Sequence, residues 1–141
     1  MQTTSTPELA GQLRLVIVRT ARRLRQEAGG ELSPSMTAAL ATVGRHGPLT
    51  PSELAARERI QRPTATRVLA RLEEMDLIAR TPDPNDRRSS LVAITEAGST
   101  LLDALRTRKT AFLAERLEGL AADERAAVER AAGILERMLA E

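Results

Sequence analysis

Apolar positions along the chain fall into blocks of helical spacing, interrupted once by two short apolar runs. From Glu8 to about Ala28, Leu9, Leu13, Val16, Ile17, Thr20, Ala21 and Leu24 recur at intervals of three and four, with Arg14, Arg22, Arg23 and Arg25 turned elsewhere. That spacing predicts a long first helix. The polar residues before it, ending in Pro7, read as a frayed tail. Gly29-Gly30 stops the helix, because glycine readily takes the left-handed conformation that closes one. Ser33 followed by Pro34 starts a second helix, with Met36, Leu40 and Val43 on its buried side and an end between Gly44 and Gly47. Thr50-Pro51-Ser52-Glu53 is a capping box that opens a short third helix, with Leu54 and Ala55 inward, giving out around residues 57–59. In the fourth helix Val68, Leu69, Leu72 and Met75 continue an apolar face. Pro63 is tolerable only in a first turn, where amides lack intrahelical partners, so this helix begins at about Arg62.

After Asp76 the period changes. Residues 77–81 and 91–95 are short apolar segments on either side of Pro82-Asp83-Pro84-Asn85-Asp86-Arg87-Arg88-Ser89-Ser90, which predicts a hairpin with a long functional loop. Thr95 caps a fifth helix from Glu96 to about Glu118, Gly119 ends it, and a sixth runs from about Ala122 to Leu139. The third and fourth helices, joined by so short a turn and with arginine concentrated in the second, have the outline of a helix-turn-helix. The first, fifth and sixth carry apolar stripes outside that unit. They are expected to form a dimerisation layer against a twofold mate; the other reading is that they close the protomer's own core.

Composition narrows the choice. At 141 residues the chain is one domain, 42% hydrophobic and 28% charged, with Phe112 as its only aromatic ring. A chain so poor in aromatic platforms is ill suited to single-stranded nucleic acid. The net charge is only +2, but from Arg57 to Arg71 five arginines (57, 59, 62, 67 and 71) face one acid, Glu58. A local excess inside a balanced chain marks a phosphate-facing surface. Having no cysteine, the chain excludes disulfides, thiolate metal sites and thiol redox sensing. No run approaches the roughly 18 apolar residues of a membrane span, and MQTTSTPEL lacks the features of a secretion signal, so a cytoplasmic protein is expected.

The candidate chemistry sits in the fourth helix and the hairpin. Thr64, Thr66, Arg67 and Arg71 share one side of the helix opposite Val68, Leu69 and Leu72. Arginine's planar fork takes guanine O6 and N7 together and also suits the negative potential of a narrow minor groove. Arg62 and Arg71, near the ends of the exposed face, fit phosphate; Thr64 and Thr66 either satisfy first-turn amides or touch thymine methyls. His46, the lone histidine, belongs to a helix end, and Glu73-Glu74 point in different directions and form no dyad. No catalytic set, metal set or cofactor site is expected.

The order of elements, the segment Leu77-Ile78-Ala79-Arg80 and the run DPNDRRSSLVAITEAG from Asp83 to Gly98 together resemble the MarR family of bacterial transcription regulators. The family's wing pattern is met by Asp86, Arg88, Val92, Ile94-Thr95 and Gly98, with isoleucine in place of the usual leucine. The resemblance covers about residues 8–139 and implies a mainly α winged helix-turn-helix fold with a small β-hairpin wing, six helices and an intertwined homodimer. Residues 8–30 and 96–141 would be dimerisation helices, and 33–95 the DNA-binding lobe. It implies binding to a pseudo-palindromic double-stranded operator, as a repressor released by a small-molecule effector bound between the dimer layer and the lobe. The major-groove positions would be Arg62, Thr64, Thr66 and Arg67, and the minor-groove residue Arg88, held by an ion pair from Asp86. Arg87 would exchange roles with Arg88 or meet phosphate. The competing function is a winged helix that binds protein and no DNA.

Overall fold

The computed structural model describes residues 3–140 as six helices and a two-stranded antiparallel sheet. Their order is α1 (Thr6–Ala28), α2 (Pro34–His46), α3 (Pro51–Glu58), α4 (Arg62–Glu74), β1 (Ile78–Asp83), β2 (Asp86–Ile94), α5 (Glu96–Glu118) and α6 (Ala122–Leu139). Helix starts follow their caps. Thr50 Oγ1 accepts the Glu53 amide at 3.1 Å while the Glu53 carboxylate accepts the Thr50 amide at 3.4 Å. Ser33 does the same for Met36 at 3.2 Å, and Thr95 for Gly98 at 3.0 Å.

The expected frayed tail through Pro7 is corrected. The helix begins at Thr6, because Ser5 accepts the Glu8 amide at 3.3 Å and Glu8 accepts the Ser5 amide at 3.0 Å. Ser5-Thr6-Pro7-Glu8 is thus a second capping box, and Pro7 sits in the turn where its missing N–H costs nothing. The Ser5 backbone amide holds the Glu8 carboxyl below the usual carboxylate range, so the stability this cap adds is fully present above that range and is lost as pH falls below it, through the depressed value.

One core organises the lobe. Leu40 from α2, Leu54 from α3, Leu69 and Leu72 from α4, and Val92 from β2 are all fully buried. Leu49, in the link between α2 and α3, joins them by bridging to Val92 through amide-to-carbonyl bonds of 2.9 and 2.7 Å. Thr42 on α2 donates to the Glu58 carboxylate on α3, tying the two helices from outside that core. The turn between α3 and α4 closes on Arg59 in the left-handed region (φ 54, ψ 45), with the Ile60 amide reaching back to the Ala55 carbonyl at 3.0 Å.

The long loop expected over 82–90 is also corrected. Strand pairing continues through Thr81 with Leu91 and Pro82 with Ser90, and the next pair is Asp83 with Asp86. One step on β1 is thus matched by four on β2, so Arg87, Arg88 and Ser89 lie in a bulge. Pro82 is tolerated because each strand of a two-stranded ribbon has a free edge. The tip is shaped locally: Asp83 accepts the Asn85 amide and Asp86 accepts the Arg88 amide, both at 2.9 Å.

The terminal helices barely enter the core. Ala28 is the only buried residue of α1, none is buried in α6, and in α5 only Gly98, Leu102 and Leu105 are. Leu9, Val16 and Ile17 of α1 are about half exposed, as are Val128 and Ile134 of α6, while Met138 is 64% exposed.

Candidate nucleic-acid interface

Helix α4 exists in this orientation because its buried stripe has no alternative. Ala65, Val68, Leu69 and Leu72 recur at intervals of one, three and four and all lie in the core. That fixes the opposite arc outward, with Thr66, Arg67 and Arg71 exposed on it; Arg62, in line with Ala65 and Leu69 by spacing, is exposed because it opens the first turn. Thr64 is the exception among the expected contacts. It is half-buried, one turn before the buried Val68, and so lies at the margin of the arc. Gln61 at the N-cap makes no side-chain cap bond, leaving the positive first turn of α4 open to an anion from solvent.

Asp86, Arg87 and Arg88 are exposed at the far end of the hairpin. Asp86 acts on Arg88 through the backbone: its carboxylate takes the Arg88 amide rather than the guanidinium, which corrects the expected ion pair. The physical reason is chain geometry, since a short aspartate two residues before an amide readily makes an Asx-turn. The effect on Arg88 is similar in kind, because its backbone is held while its side chain reaches outward.

Three residues that pattern reading passed over link these two surfaces. Arg80 of β1 pairs with Glu73 of α4, Nε to Oε2 at 2.6 Å, and its Nη1 donates to Ser90 Oγ of β2 at 3.3 Å. The missed signal was that Arg80 lies on the same strand face as the buried Ile78, which aims it toward α4 rather than to bulk water.

The family model described as MarR family matches residues 32–90, the span from the end of the first link to the wing. An HTH-type transcriptional regulator of Mycobacterium tuberculosis is 39% identical over 132 residues, covering 93% of this chain and 92% of its own. The chain belongs to the MarR family. Among solved structures, a Pseudomonas aeruginosa protein superposes with a TM-score of 0.86 at 32% identity, covering 99% of this chain and 100% of its own. Wild-type MarR of Escherichia coli superposes at 0.75 with 25% identity, over 94% and 98%. MarR-family proteins are transcription regulators rather than enzymes. No helix among the described residues is long and apolar enough to cross a membrane, and they include no group of three His, Asp or Glu side chains that could hold a metal ion.

Proposed function

We propose that two copies of this MarR-family chain bind one double-stranded, pseudo-palindromic operator and regulate transcription from it in the cytoplasm. The observation that carries this reading is the joint exposure of two arginine sets on elements with rigid roots. Arg67 and Arg71 lie on the outer arc of a helix whose other side is buried, Arg62 is exposed at its N-terminal end, and Arg87 and Arg88 lie in the bulge of the adjoining wing. In the reading, Arg67 and Thr66 meet base edges in the major groove, Arg62 and Arg71 meet phosphate, Thr64 supports the first turn, and Arg88 enters the minor groove with Asp86 shaping its backbone. Arg87 takes phosphate beside it.

Support for the homodimer comes from what the protomer leaves uncovered. Between α1 and α6 runs a groove of about 660 Å³, lined by Leu9, Leu13, Ile17, Ile134, Leu135 and Met138 among others. Apolar stripes of this kind on both terminal helices suit burial against a mate, with residues 8–30 and 96–141 as the dimer layer and 33–95 as the reading lobe. Support for a small-molecule effector comes from a second cavity, of about 340 Å³, where the dimer layer meets the lobe. Its walls include Leu24, Ala38, Ala41 and Leu105, with Arg25, Arg106 and Lys109 supplying positive charge. An apolar body with an anionic end fits that chemistry, and its binding there would release operator and so relieve repression.

Selection of bound duplexes from a genomic library tests the DNA reading directly, and titrating the recovered complex with small apolar acids tests the effector. On the recovered operator, Arg88→Ala is expected to weaken binding by about 1 to 3 kcal/mol while the dimer persists in sedimentation. Unchanged affinity at matched salt would sink the wing assignment. Affinity should also fall with salt along a log-log slope of about −0.9 per neutralised phosphate, and a flat dependence would favour the protein-binding alternative.

A further inference from the structure

The wing touches the rest of the lobe at its base, through the Leu49–Val92 bridge and the Thr95 hydroxyl, which donates to the Asp76 carbonyl at 2.7 Å. Beyond that base, the described side-chain bonds between hairpin and helix reduce to one group, the Arg80 guanidinium. Its two donor edges serve different elements: Nε takes a carboxylate on α4, and Nη1 takes a hydroxyl on β2. A fork that spans helix, first strand and second strand does more than a surface ion pair. Two bonds in fixed planar geometry determine an orientation, which a single contact between long flexible side chains does not.

The location gives the fork its consequence. Glu73 lies one turn beyond Leu69 on α4, at the end away from Arg62, and Ser90 is the last β2 residue in regular register before the bulge that carries Arg87 and Arg88. Ahead of Ser90 the ribbon is held only within itself, by the Asp83–Asp86 pair and two Asx-turns. The brace therefore sits where a small angular error would be multiplied toward the wing arginines. The pair is partly solvated, with Arg80 28% and Glu73 45% exposed in their side chains, so its contribution to folding is small. Its contribution to orientation is bounded by that same energy, a modest bias toward one wing angle.

We propose that Arg80 is a positioning residue for operator recognition: by joining Glu73 to Ser90 it sets the angle between recognition helix and wing, and so lets major-groove and minor-groove contacts form together. The proposal rests on the reading of α4 and the wing as DNA-contacting surfaces. Arg80 itself touches no base.

A mutant cycle tests it on the full-length dimer with the selected operator. Arg80→Met, which keeps the apolar stem and removes the fork, should lose about two- to fivefold in affinity, less than the loss of Arg88→Ala alone, since the unbraced wing still makes its groove contact but less often. Glu73→Ala, at an exposed helix position that cannot unfold the lobe, should lose affinity in the same direction. The double variant Arg80→Met, Arg88→Ala should bind like Arg88→Ala alone, because orienting a wing without its arginine gains nothing. A further readout separates orientation from contact: with Arg88 already alanine, Arg80→Met should leave the salt slope unchanged, whereas a direct phosphate contact would lower it by about 0.9. Multiplying losses in the double variant, or that drop in slope, would overturn the positioning role while leaving the wing reading intact. A silent Arg88→Ala would overturn the wing reading and the brace with it.

Discussion

If the proposed dimer forms through the α1–α6 groove, Ile17→Asp is expected to leave a monomer at micromolar concentration and to lower operator affinity by about a hundredfold or more, as sedimentation and a binding titration on the same sample should show. Ile17 is 48% exposed in the single chain and lines the groove between α1 and α6 together with Leu13, Ile134 and Leu135. In a paired molecule that surface is interior, and an aspartate buried there without a partner costs several kcal/mol, roughly what a standard interface can spare. The lobe's core, built on Leu40, Leu54, Leu69 and Leu72, does not include α1, so each lobe should keep its helicity. The loss in DNA affinity then follows from connection alone: a monomer reads one half-site and forgoes the effective concentration that the first contact gives the second. A stable dimer of the variant, still binding operator at wild-type strength, would show that the groove is not the interface.

Gly98→Ala is the second large effect, and it acts on stability. A Cβ on Gly98 would lie 2.2 Å from the Leu77 carbonyl oxygen and 2.8 Å from Ile94 Cγ1. The first neighbour is backbone, already engaged by the Thr95 amide at 3.0 Å, so it cannot step aside without breaking the start of α5. Overpacking of this kind costs about 3 kcal/mol, against which the better helix propensity of alanine returns about 1. Denaturant midpoints measured at one protein concentration should show the deficit. Gly44→Ala is the control, since its new methyl would meet only side-chain ends, Ile94 Cδ1 at 3.3 Å and Leu102 Cδ2 at 3.8 Å, which can move. Equal midpoints for wild type and Gly98→Ala would mean that the close approach to Leu77 is not tight in solution.

Most of the lobe was legible because its signals are local. Thr50-x-x-Glu53 and Ser33-Pro34 start their helices where the caps say, and Pro63 fixes the start of α4 at Arg62. The same logic should have found Ser5-x-x-Glu8, but the polar run around it was weighed as a tail, and composition overrode spacing. The hairpin failed differently. Asp83 and Asp86 accept the Asn85 and Arg88 amides within the hairpin itself, and from a sequence alone that cannot be told from a loop that leaves the ladder. The half-burial of Thr64 was missed because a helix arc has margins that only the packed neighbours define, here Val68. Long-range groups were the least visible of all: Arg80 finds Glu73 seven residues back and Ser90 ten ahead only once the hairpin has folded against α4. The half-exposed stripes of α1 and α6 were read correctly as apolar, yet the sequence has no mark that distinguishes a face covered by its own chain from one left bare.

The seam at Gly98 has a mechanical consequence. With no side chain between them, the first turn of α5 and the strand that begins the wing are seated backbone on backbone, so the helix and the hairpin root move as one piece. Helix α5 is 23 residues long, a shaft of about 35 Å at 1.5 Å per residue. Tilting such a shaft by about 5° about its far end carries the near end, and the hairpin root seated on it, by about 3 Å, enough to lift a side chain out of a groove.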